Sequence, residues 1–449
     1  MLSCRSIRNP AAWARQLGVL GALFVLASAL PAQTPTPLGE PMVVNTTTVS
    51  YQLDADGVAL PDGGFLVVWQ SESSDGDDQF GRSIQGQRFA SDGTPAGDEM
   101  QLNSVTTGDQ AEPSVAVAGD RILVVWTGPD GSVGDFGDDF GIFARLFDLD
   151  VNPIGGDFQV NTFTERYQRI PSVAAVGDRG DFQVVWQSSV APSNLEIRGR
   201  RISASGSPVG SELPVNTTST GSQREPRIAS ASDGGFTVAW DGPGAQSTGR
   251  EIIGRRFDAA SNPLGGEFRV NSDTTGEQAS AAIATAPSGD FVVAWNRFGE
   301  TPPSGAEILA RRFAADGTPL GDDVEVPTVN DPGHSSVALS SGKSEDFLVS
   351  WVLRNAAFTV SSLRGQRLGA DGARLGEEFV IRSDEDSETA GGPVLVRTVG
   401  DTFQVVWVER AIAGPDTDET AILKRPYALP LFFDGFESGD TSAWSSAGE

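Results

Sequence analysis

The amino-acid sequence predicts an all-β protein: a seven-bladed β-propeller of four-stranded antiparallel blades. Three observations predict this fold. A tryptophan ends the same apolar strand pattern seven times, at intervals of 54 to 60 residues. Each interval holds further strand patterns separated by turn signals rich in Asp and Gly. The start of the repeat region also matches the strand that the last unit lacks. A fixed period of this size is typical of propellers and repeat arrays.

The tryptophans mark the second strand of each unit. They are Trp69, Trp126, Trp186, Trp240, Trp295, Trp351 and Trp407. Apolar residues precede them on both alternating faces, as in Phe65 to Trp69, which is typical of a strand that is covered on both sides. We expect the seven indoles to have a structural role, packing between blades in a ring without disulfides.

The other three strands of a unit follow from turn chemistry and alternation. The first follows a loop with Gln or Pro, as at 113–118, and the Asp-Gly-Gly turn 233–235 leads into a second strand. Residues 251–257 and 267–271 show the third and fourth strands. Four strands joined by short hairpins make one blade of a propeller, so we expect each unit to be one blade. Helical periodicity is absent after the N-terminal segment.

The two ends of the repeat region complement each other. Residues 37–45 match a fourth strand such as 263–271, whereas the seventh unit has three strands, near Val394, ending at Trp407 and around 422–427. We expect the N-terminal strand to complete the last blade and close a monomeric ring. Closure would remove the exposed sheet edges of an open array.

The chain divides into three predicted regions: residues 1–32, 33–429 and 430–449. The first is a signal peptide, with a basic start, the apolar run 17–30 and small residues for cleavage (Arg5, Arg8, Arg15, Ala27, Ala29 and Ala32). The second is the propeller, and the third is a short C-terminal tail motif without an assigned role. We expect export to the extracellular or periplasmic space, with surface association as an option, and no transmembrane segment in the mature chain.

Charge and cysteine content exclude several classes of function. The 449-residue chain has a formal net charge of −28, and its single cysteine, Cys4, lies in the predicted leader. The mature chain would therefore lack disulfides and thiolate metal sites. A chain this acidic should repel nucleic acid and anionic membranes and attract cations or basic partners. Alternatively, the charge only keeps an exported protein soluble.

Two motifs give the chain a resemblance to a known group of proteins. They are Gly-x-Phe-x-Val-x-Trp, as around Gly64 to Trp69, and Arg-Phe-Asp-x-x-Gly-x-Pro-x-Gly-x-Glu-Phe-x-Val-Asn, as in Arg256 to Asn271. In these the chain resembles exported bacterial β-propeller repeat proteins. The resemblance covers residues 37 to about 429. It implies the architecture and brings no assigned activity.

Two polar residue types recur with the period of the repeat. Arginines precede the aromatic or aliphatic end of the third strand in six units (Arg88, Arg201, Arg256, Arg312, Arg367 and Arg425), and asparagines end the fourth strands (Asn45, Asn103, Asn161, Asn216 and Asn271). A ring of guanidinium groups could bind anions, but recurrence with the fold favours a structural role. We expect the arginines to pair with turn aspartates or stack on Trp, and the asparagines to bond the turn backbone.

Acidic loops depart from the repeat and form the candidate metal site. The loop between the second and third strands of the first two units holds Asp75, Asp77, Asp78, Asp135, Asp138 and Asp139. Acids of the neighbouring seventh unit extend this sector (Asp384, Glu385, Asp386, Glu388, Asp416, Asp418 and Glu419). Oxygen ligands with intervening glycine fit Ca²⁺, and the sector could also hold a basic partner. The alternative is that the loops are simply solvated.

No residue pattern identifies a catalytic site or another cofactor. His334 is the only histidine, and its Pro-Gly-His-Ser-Ser context predicts an exposed loop residue. A pair of carboxylates that hydrolyses glycosides stays possible, but the 60 acidic residues offer too many candidate pairs for the sequence to single one out.

Two functions therefore remain. The favoured one is a non-enzymatic extracellular binding or scaffold protein, which uses one loop face for an unknown protein or glycan and binds calcium there. The alternative is a secreted polysaccharide hydrolase or lyase with carboxylates at the central channel. Catalysis predicts buried acids with raised pKa in a deep central pocket, and binding predicts a shallow, exposed acidic face.

Overall fold

The protein is an all-β ring of seven blades. The computed structural model describes residues 34–46, 50–72, 81–130, 140–244, 249–299, 306–328, 333–342, 345–354, 361–383, 387–389, 391–398, 402–411 and 420–429. These ranges contain thirty strands and no helix, hence no helix long and apolar enough to span a membrane. Six sheets have four strands and one has six.

The strands follow one another in chain order from the ring centre outward. Two short strands precede the first blade, β1 (Thr36–Pro37) and β2 (Met42–Val43). Blades 1 to 3 consist of β3 (Gln52–Ala59), β4 (Phe65–Glu72), β5 (Arg82–Phe89), β6 (Met100–Gln101); β7 (Ala111–Ala118), β8 (Arg121–Pro129), β9 (Phe140–Phe147), β10 (Pro153–Gln159); and β11 (Gln168–Val176), β12 (Asp181–Ala191), β13 (Asn194–Ile202), β14 (Pro208–Pro214). Blades 4 to 6 consist of β15 (Arg224–Ser230), β16 (Phe236–Pro243), β17 (Arg250–Phe257), β18 (Phe268–Arg269); β19 (Glu277–Thr285), β20 (Phe291–Phe298), β21 (Ala306–Phe313), β22 (Val324–Glu325); and β23 (His334–Ser341), β24 (Phe347–Arg354), β25 (Ser361–Leu368), β26 (Arg374–Arg382). Blade 7 contains β27 (Ser387–Thr389), β28 (Val394–Arg397), β29 (Thr402–Ala411) and β30 (Thr420–Ala428).

The N-terminal strands complete blade 7. Both β1 and β2 pair antiparallel with β30, with Thr36 opposite Ala428 and Met42 opposite Lys424. Between these pairs the Leu38 amide donates to the Pro426 carbonyl at 2.9 Å. The predicted fold and its closure by the N-terminal strand are therefore confirmed.

Apolar clusters between neighbouring blades form the core. The seven tryptophans are buried, and each packs against residues of the preceding blade. Trp240, for example, shares a cluster with Val185 and Ile197 of blade 3, and Trp69 lies against Val406 of blade 7. Because these contacts repeat around the ring, no blade stands alone.

A glutamine at the start of the first strand holds the indole in four blades. In blade 4 the Trp240 Nε1 donates to the Gln223 Oε1 at 2.9 Å. Blades 1, 3 and 5 repeat this bond with Gln52, Gln168 and Gln278. The bond satisfies a buried donor and connects the second strand to the start of the first.

His334 occupies this glutamine position in blade 6, so the prediction of an exposed loop residue is wrong. The residue begins β23 and is 4% exposed. Its Nδ1 lies 2.9 Å from the Ala306 carbonyl oxygen, and its ring lies edge-on to Trp351 with centroids 6.2 Å apart. The Pro-Gly context suggested a loop, but the register of the repeat places the imidazole in the interior.

The recurrent arginines and asparagines have structural contacts. Four arginines pair with the aspartate at or before the second strand of their own blade (Arg88 with Asp62, Arg201 with Asp181, Arg312 with Asp290, Arg367 with Asp346). Arg256 and Arg425 instead donate to the carbonyls of Asp316 and Gly39. The asparagines accept from third-strand amides, as Asn216 does from Ile197 at 2.6 Å, and four donate to a carbonyl two residues on.

One carboxylate beside each of six fourth strands reaches the preceding blade. We call these residues the clamp carboxylates: Glu99, Asp157, Glu212, Glu267, Asp323 and Glu378. Each accepts a backbone amide that follows the end of the neighbouring fourth strand. Glu378, for example, accepts the amide and hydroxyl of Thr328, both at 2.9 Å. The clamp repeats with the fold and therefore belongs to its architecture.

Candidate active site

The first strands of all seven blades enclose a central cavity of about 630 Å³. Its wall is formed by parts of β3, β7, β11, β15, β19, β23 and β28. A cavity of this volume is in the range of small-molecule and cofactor sites.

A bulge interrupts the first strand at the same place in six blades. The register shifts there, as between Leu53 and Asp56 in β3. At each bulge one residue other than glycine has a positive φ of 48° to 56°, namely Asp54, Glu112, Ile170, Glu225, Ser280 and Ser336. All six line the cavity. We call them the bulge residues; such left-handed conformations are strained and cluster at functional sites.

The bulge residues differ in chemistry from blade to blade. Blades 1, 2 and 4 carry the acids Asp54, Glu112 and Glu225, whereas blades 3, 5 and 6 carry isoleucine or serine. The backbone geometry is thus kept while the side chain changes. Three of the bulge residues are acidic and three are uncharged.

Glu112 is held by three donors. Its carboxylate accepts from Arg169 Nη2 at 2.6 Å, from the Thr127 hydroxyl at 2.8 Å and from the Ile170 amide at 2.9 Å. Two of these donors belong to blade 3 and one to blade 2. The side chain is therefore oriented by an ion pair and two hydrogen bonds, with little freedom to rotate.

Asp54 has a different environment. Its side chain is exposed on the cavity surface, where the walls of several blades surround it. This burial raises the pKa of the Asp54 carboxyl, and the nearby Glu112 charge raises it further. Arg82, Arg169 and Arg227 oppose the rise without cancelling it. Asp54 and Glu112 thus form a pair of carboxyls in contrasting surroundings.

Asp56 lies deeper in the cavity wall and links two blades. Its carboxyl accepts the Val115 amide of blade 2 at 2.9 Å and the Gly57 amide at 2.8 Å. Burial raises the pKa of Asp56, although these hydrogen bonds oppose the rise. Asp56 therefore connects the first two blades through its hydrogen bond to Val115.

Blade 4 adds a second pair of acids. Asp241 follows Trp240 and is fully buried, where the other six blades have neutral residues (Gln70, Thr127, Gln187, Asn296, Val352 and Val408). Burial and then the Glu225 charge raise the pKa of Asp241 to about 6, although Arg250 Nη1 lies 2.9 Å from its Oδ2. Glu225 accepts the Ser280 hydroxyl at 3.1 Å.

Sequence reasoning missed the bulge residues, although the sequence contains a signal for them. Each lies two residues after the glutamine, or His334, that begins the first strand. Aligning the repeats on that position would have shown the acids as departures from the pattern. The left-handed conformation and the orientation toward the cavity come only from the structure.

The predicted calcium ligands lie outside the described residues. This applies to Asp75, Asp77, Asp78, Asp135, Asp138 and Asp139, and to the seventh-unit acids except Glu388, whose backbone alone is described. Over the described ranges, no group of three or more His, Cys, Asp or Glu could hold a metal ion. Calcium binding by the loops stays a prediction.

Comparison with known proteins identifies the fold. No family model and no curated protein matches the chain. A protein of unknown function from Dyadobacter fermentans is 12% identical, with a TM-score of 0.52 over 88% of this chain and 99% of that one. The polysaccharide lyase Uly1 is 10% identical, with a TM-score of 0.50 over 88% of this chain and all of that one. The sialidase of Trypanosoma rangeli is 9% identical, with a TM-score of 0.42 over 88% of this chain and 58% of that one.

The favoured functional prediction, a non-enzymatic binding or scaffold protein that uses a loop face, is corrected. Acids with raised pKa, Asp54 and Asp56, line a central cavity, which is the arrangement that catalysis predicts. One of the similar structures is a polysaccharide lyase. The alternative, carboxylates at the central channel acting on a polysaccharide, is the better supported of the two.

Proposed function

We propose that the protein is an exported polysaccharide-cleaving enzyme, with Asp54 and Glu112 as its catalytic carboxyls. The observation that carries the proposal is the contrast between these two acids on adjoining cavity bulges. The pKa of Asp54 is raised by burial and by Glu112, whereas Glu112 is ion-paired with Arg169. Two carboxyls in contrasting surroundings are suited to different roles, one as the acid and one as the carboxylate.

Hydrolysis of a glycosidic bond needs both roles. A carboxylic acid protonates the leaving oxygen, and a carboxylate faces the positive charge that develops on the sugar ring. Asp54 supplies the first group and Glu112 the second in this proposal. The hydrogen bonds from Thr127 and Ile170 hold the Glu112 carboxylate in place, so that no reorganisation is needed during the reaction.

A lyase is the second candidate. The likeness to the polysaccharide lyase Uly1 favours it, although propellers host many activities and a shared fold does not transfer one. A lyase breaks the bond by elimination and leaves a conjugated double bond on one product. Hydrolysis consumes water and leaves two saturated ends.

Export belongs to the proposal on sequence grounds. A basic start followed by the apolar run 17–30 is typical of a signal peptide. The resemblance to exported bacterial propeller proteins supports the same assignment. Polysaccharides are substrates that an exported enzyme meets outside the cell.

The test is cleavage of a polysaccharide panel by the purified chain and two variants. We expect Asp54→Asn and Glu112→Gln each to reduce cleavage by about 10²- to 10⁴-fold, the usual contribution of an acid–base group. New reducing ends without ultraviolet absorbance indicate hydrolysis, and absorbance of a conjugated product indicates a lyase.

The matched control is Asp120→Asn, which makes the same chemical change at an exposed hairpin outside the cavity wall. It should leave cleavage unchanged. Full activity in both cavity variants, with folding verified by circular dichroism, would remove Asp54 and Glu112 from the mechanism.

A further inference from the structure

The cavity wall carries one cation among its described residues, Arg227 of β15. It lies two residues after the bulge residue Glu225. The matching positions in the other blades with a bulge are Asp56, Ser114, Ser172, Ala282 and Ala338. Arginine therefore departs from the repeat at this position. It does not recur with the fold as the structural arginines do.

Arg227 has no carboxylate partner among the described residues. Its side chain is exposed to the cavity, and its Nη1 donates to the adjacent Pro226 carbonyl at 3.0 Å. By contrast, Arg169 and Arg250 are both ion-paired, with Glu112 and with Asp241. The Arg227 guanidinium thus keeps most of its five N–H donors available to a ligand.

The surroundings of Arg227 fit a negatively charged ligand. Its charge acts on Asp54 and Asp56 across the cavity, yet burial keeps the pKa of both acids raised. The wall of blades 5 and 6 is small and uncharged there, with Ala282 and Ala338, and leaves room for a sugar ring.

We propose that Arg227 binds an anionic oxygen group of the glycan that enters the cavity, either a uronic acid carboxylate or a sulfate ester. A guanidinium presents two parallel donors that match such oxyanions. This inference rests on the proposed function, because it names the class of glycan for the same cavity. Salt screens most of the net charge of −28 beyond about 10 Å at 0.1 M ionic strength, so the negative charge that opposes binding is mainly that of the acids in the cavity wall.

The test compares three oligosaccharides of equal length by isothermal titration calorimetry: an oligogalacturonate, a sulfated neutral oligosaccharide and its unsulfated parent. The variants are Arg227→Ala and Arg227→Lys, with Arg121→Ala as the control that removes an equal charge outside the cavity wall. The exposed Arg227 has no ion pair to lose, so folding should persist.

We expect Arg227→Ala to weaken binding of at least one acidic oligosaccharide by tenfold or more and to leave the neutral parent unchanged. Arg227→Lys should keep part of the affinity, and Arg121→Ala all of it. Loss confined to the oligogalacturonate assigns a carboxylate, and loss confined to the sulfated ligand assigns a sulfate.

Three results would overturn the inference: equal loss for the neutral parent, no change in Arg227→Ala, or no binding of either acidic ligand. Cleavage that depends on Asp54 without dependence on Arg227 would keep the proposed function and reject this inference. Binding that depends on Arg227 without any cleavage would do the reverse.

Discussion

The outer junctions between blades and the inner wall of the ring differ in how far their side chains follow the repeat. At six junctions a clamp carboxylate performs one task, binding the amides that follow the neighbouring fourth strand. At the six bulges the backbone is equally regular, but the side chains are of four types, Asp, Glu, Ile and Ser. The positions that keep a carboxylate, Asp or Glu, connect neighbouring blades. The bulge positions keep their backbone conformation while their side chains vary, so they can provide the functional groups of a site.

The largest expected effect concerns Asp241, a buried acid of the second strand in blade 4 whose pKa is raised in part by the bulge residue Glu225. Its folded pKa of about 6 lies above the ordinary 3.8, so the native state binds more protons than the unfolded state between about pH 4 and 6. The free energy of unfolding should therefore fall as pH rises through this window, by about 3 kcal/mol from this group. Asp241→Asn should remove that part of the pH dependence.

Urea denaturation at pH 4, 5, 6 and 7 measures the effect, with Asp120→Asn as the control for an exposed aspartate. Parallel pH profiles for the wild type and Asp241→Asn would show that Asp241 titrates normally. The proposed effect of the Glu225 charge and of burial on Asp241 would then be wrong.

A smaller effect is expected at the outer edge, from Glu378→Gln. Burial alone would raise the pKa of Glu378, but hydrogen bonds from Thr328 and Arg364 outweigh it and hold the pKa below its ordinary value. The neutral amide should cost about 2 kcal/mol at pH 7, because charge-assisted bonds are weakened. The wild-type advantage should disappear as pH falls through the folded pKa of Glu378.

Thermal and urea denaturation at pH 7 and at pH 3 provide the measurement. Glu377→Gln is the matched control, since it alters the adjacent, exposed glutamate. Equal stability of the two variants would mean that the clamp carboxylate does not stabilise the fold.

The smallest effect concerns His334, where the core departs from its own pattern. Trp351 Nε1 is buried without a hydrogen-bond partner in the described structure, whereas four other indoles bond to glutamine. His334→Gln should supply the missing acceptor and raise the free energy of unfolding by about 1 kcal/mol. The reciprocal change Gln278→His in blade 5 should lower it by a similar amount. Destabilisation by His334→Gln would show that the imidazole is the better partner in that blade.

The sequence was sufficient for the fold because its signals are local and repeated. The tryptophan interval, the Asp-Gly turns and the resemblance of residues 37–45 to a fourth strand each predict part of the ring. All of them depend on residues close in sequence or on a period, which need no knowledge of tertiary packing. The pairing of β1 and β2 with β30 confirms the inference from the two ends.

The site was less predictable because it depends on contacts between blades. Glu112 is defined by Arg169, 57 residues away, and by the Ile170 amide, and neither contact has a sequence motif. The raised pKa of Asp54 arises from walls contributed by several blades. His334 was predicted wrongly for the opposite reason. Its local Pro-Gly context indicates a loop, whereas its position in the repeat, which corresponds to the buried glutamine, places it in the interior.

Because β1 and β2 complete blade 7, the ring can close only after β30 has been synthesised. The ribosome makes β1 and β2 before the other strands of the ring and β30 after them, so the seam joins residues about 390 positions apart, such as Thr36 and Ala428. Contacts of such separation form slowly. Until they form, β30 presents an unpaired edge to other chains. Proteolysis that removed Thr36 to Val43 would restore that hazard in the finished protein, and self-association of the trimmed chain would be its visible sign.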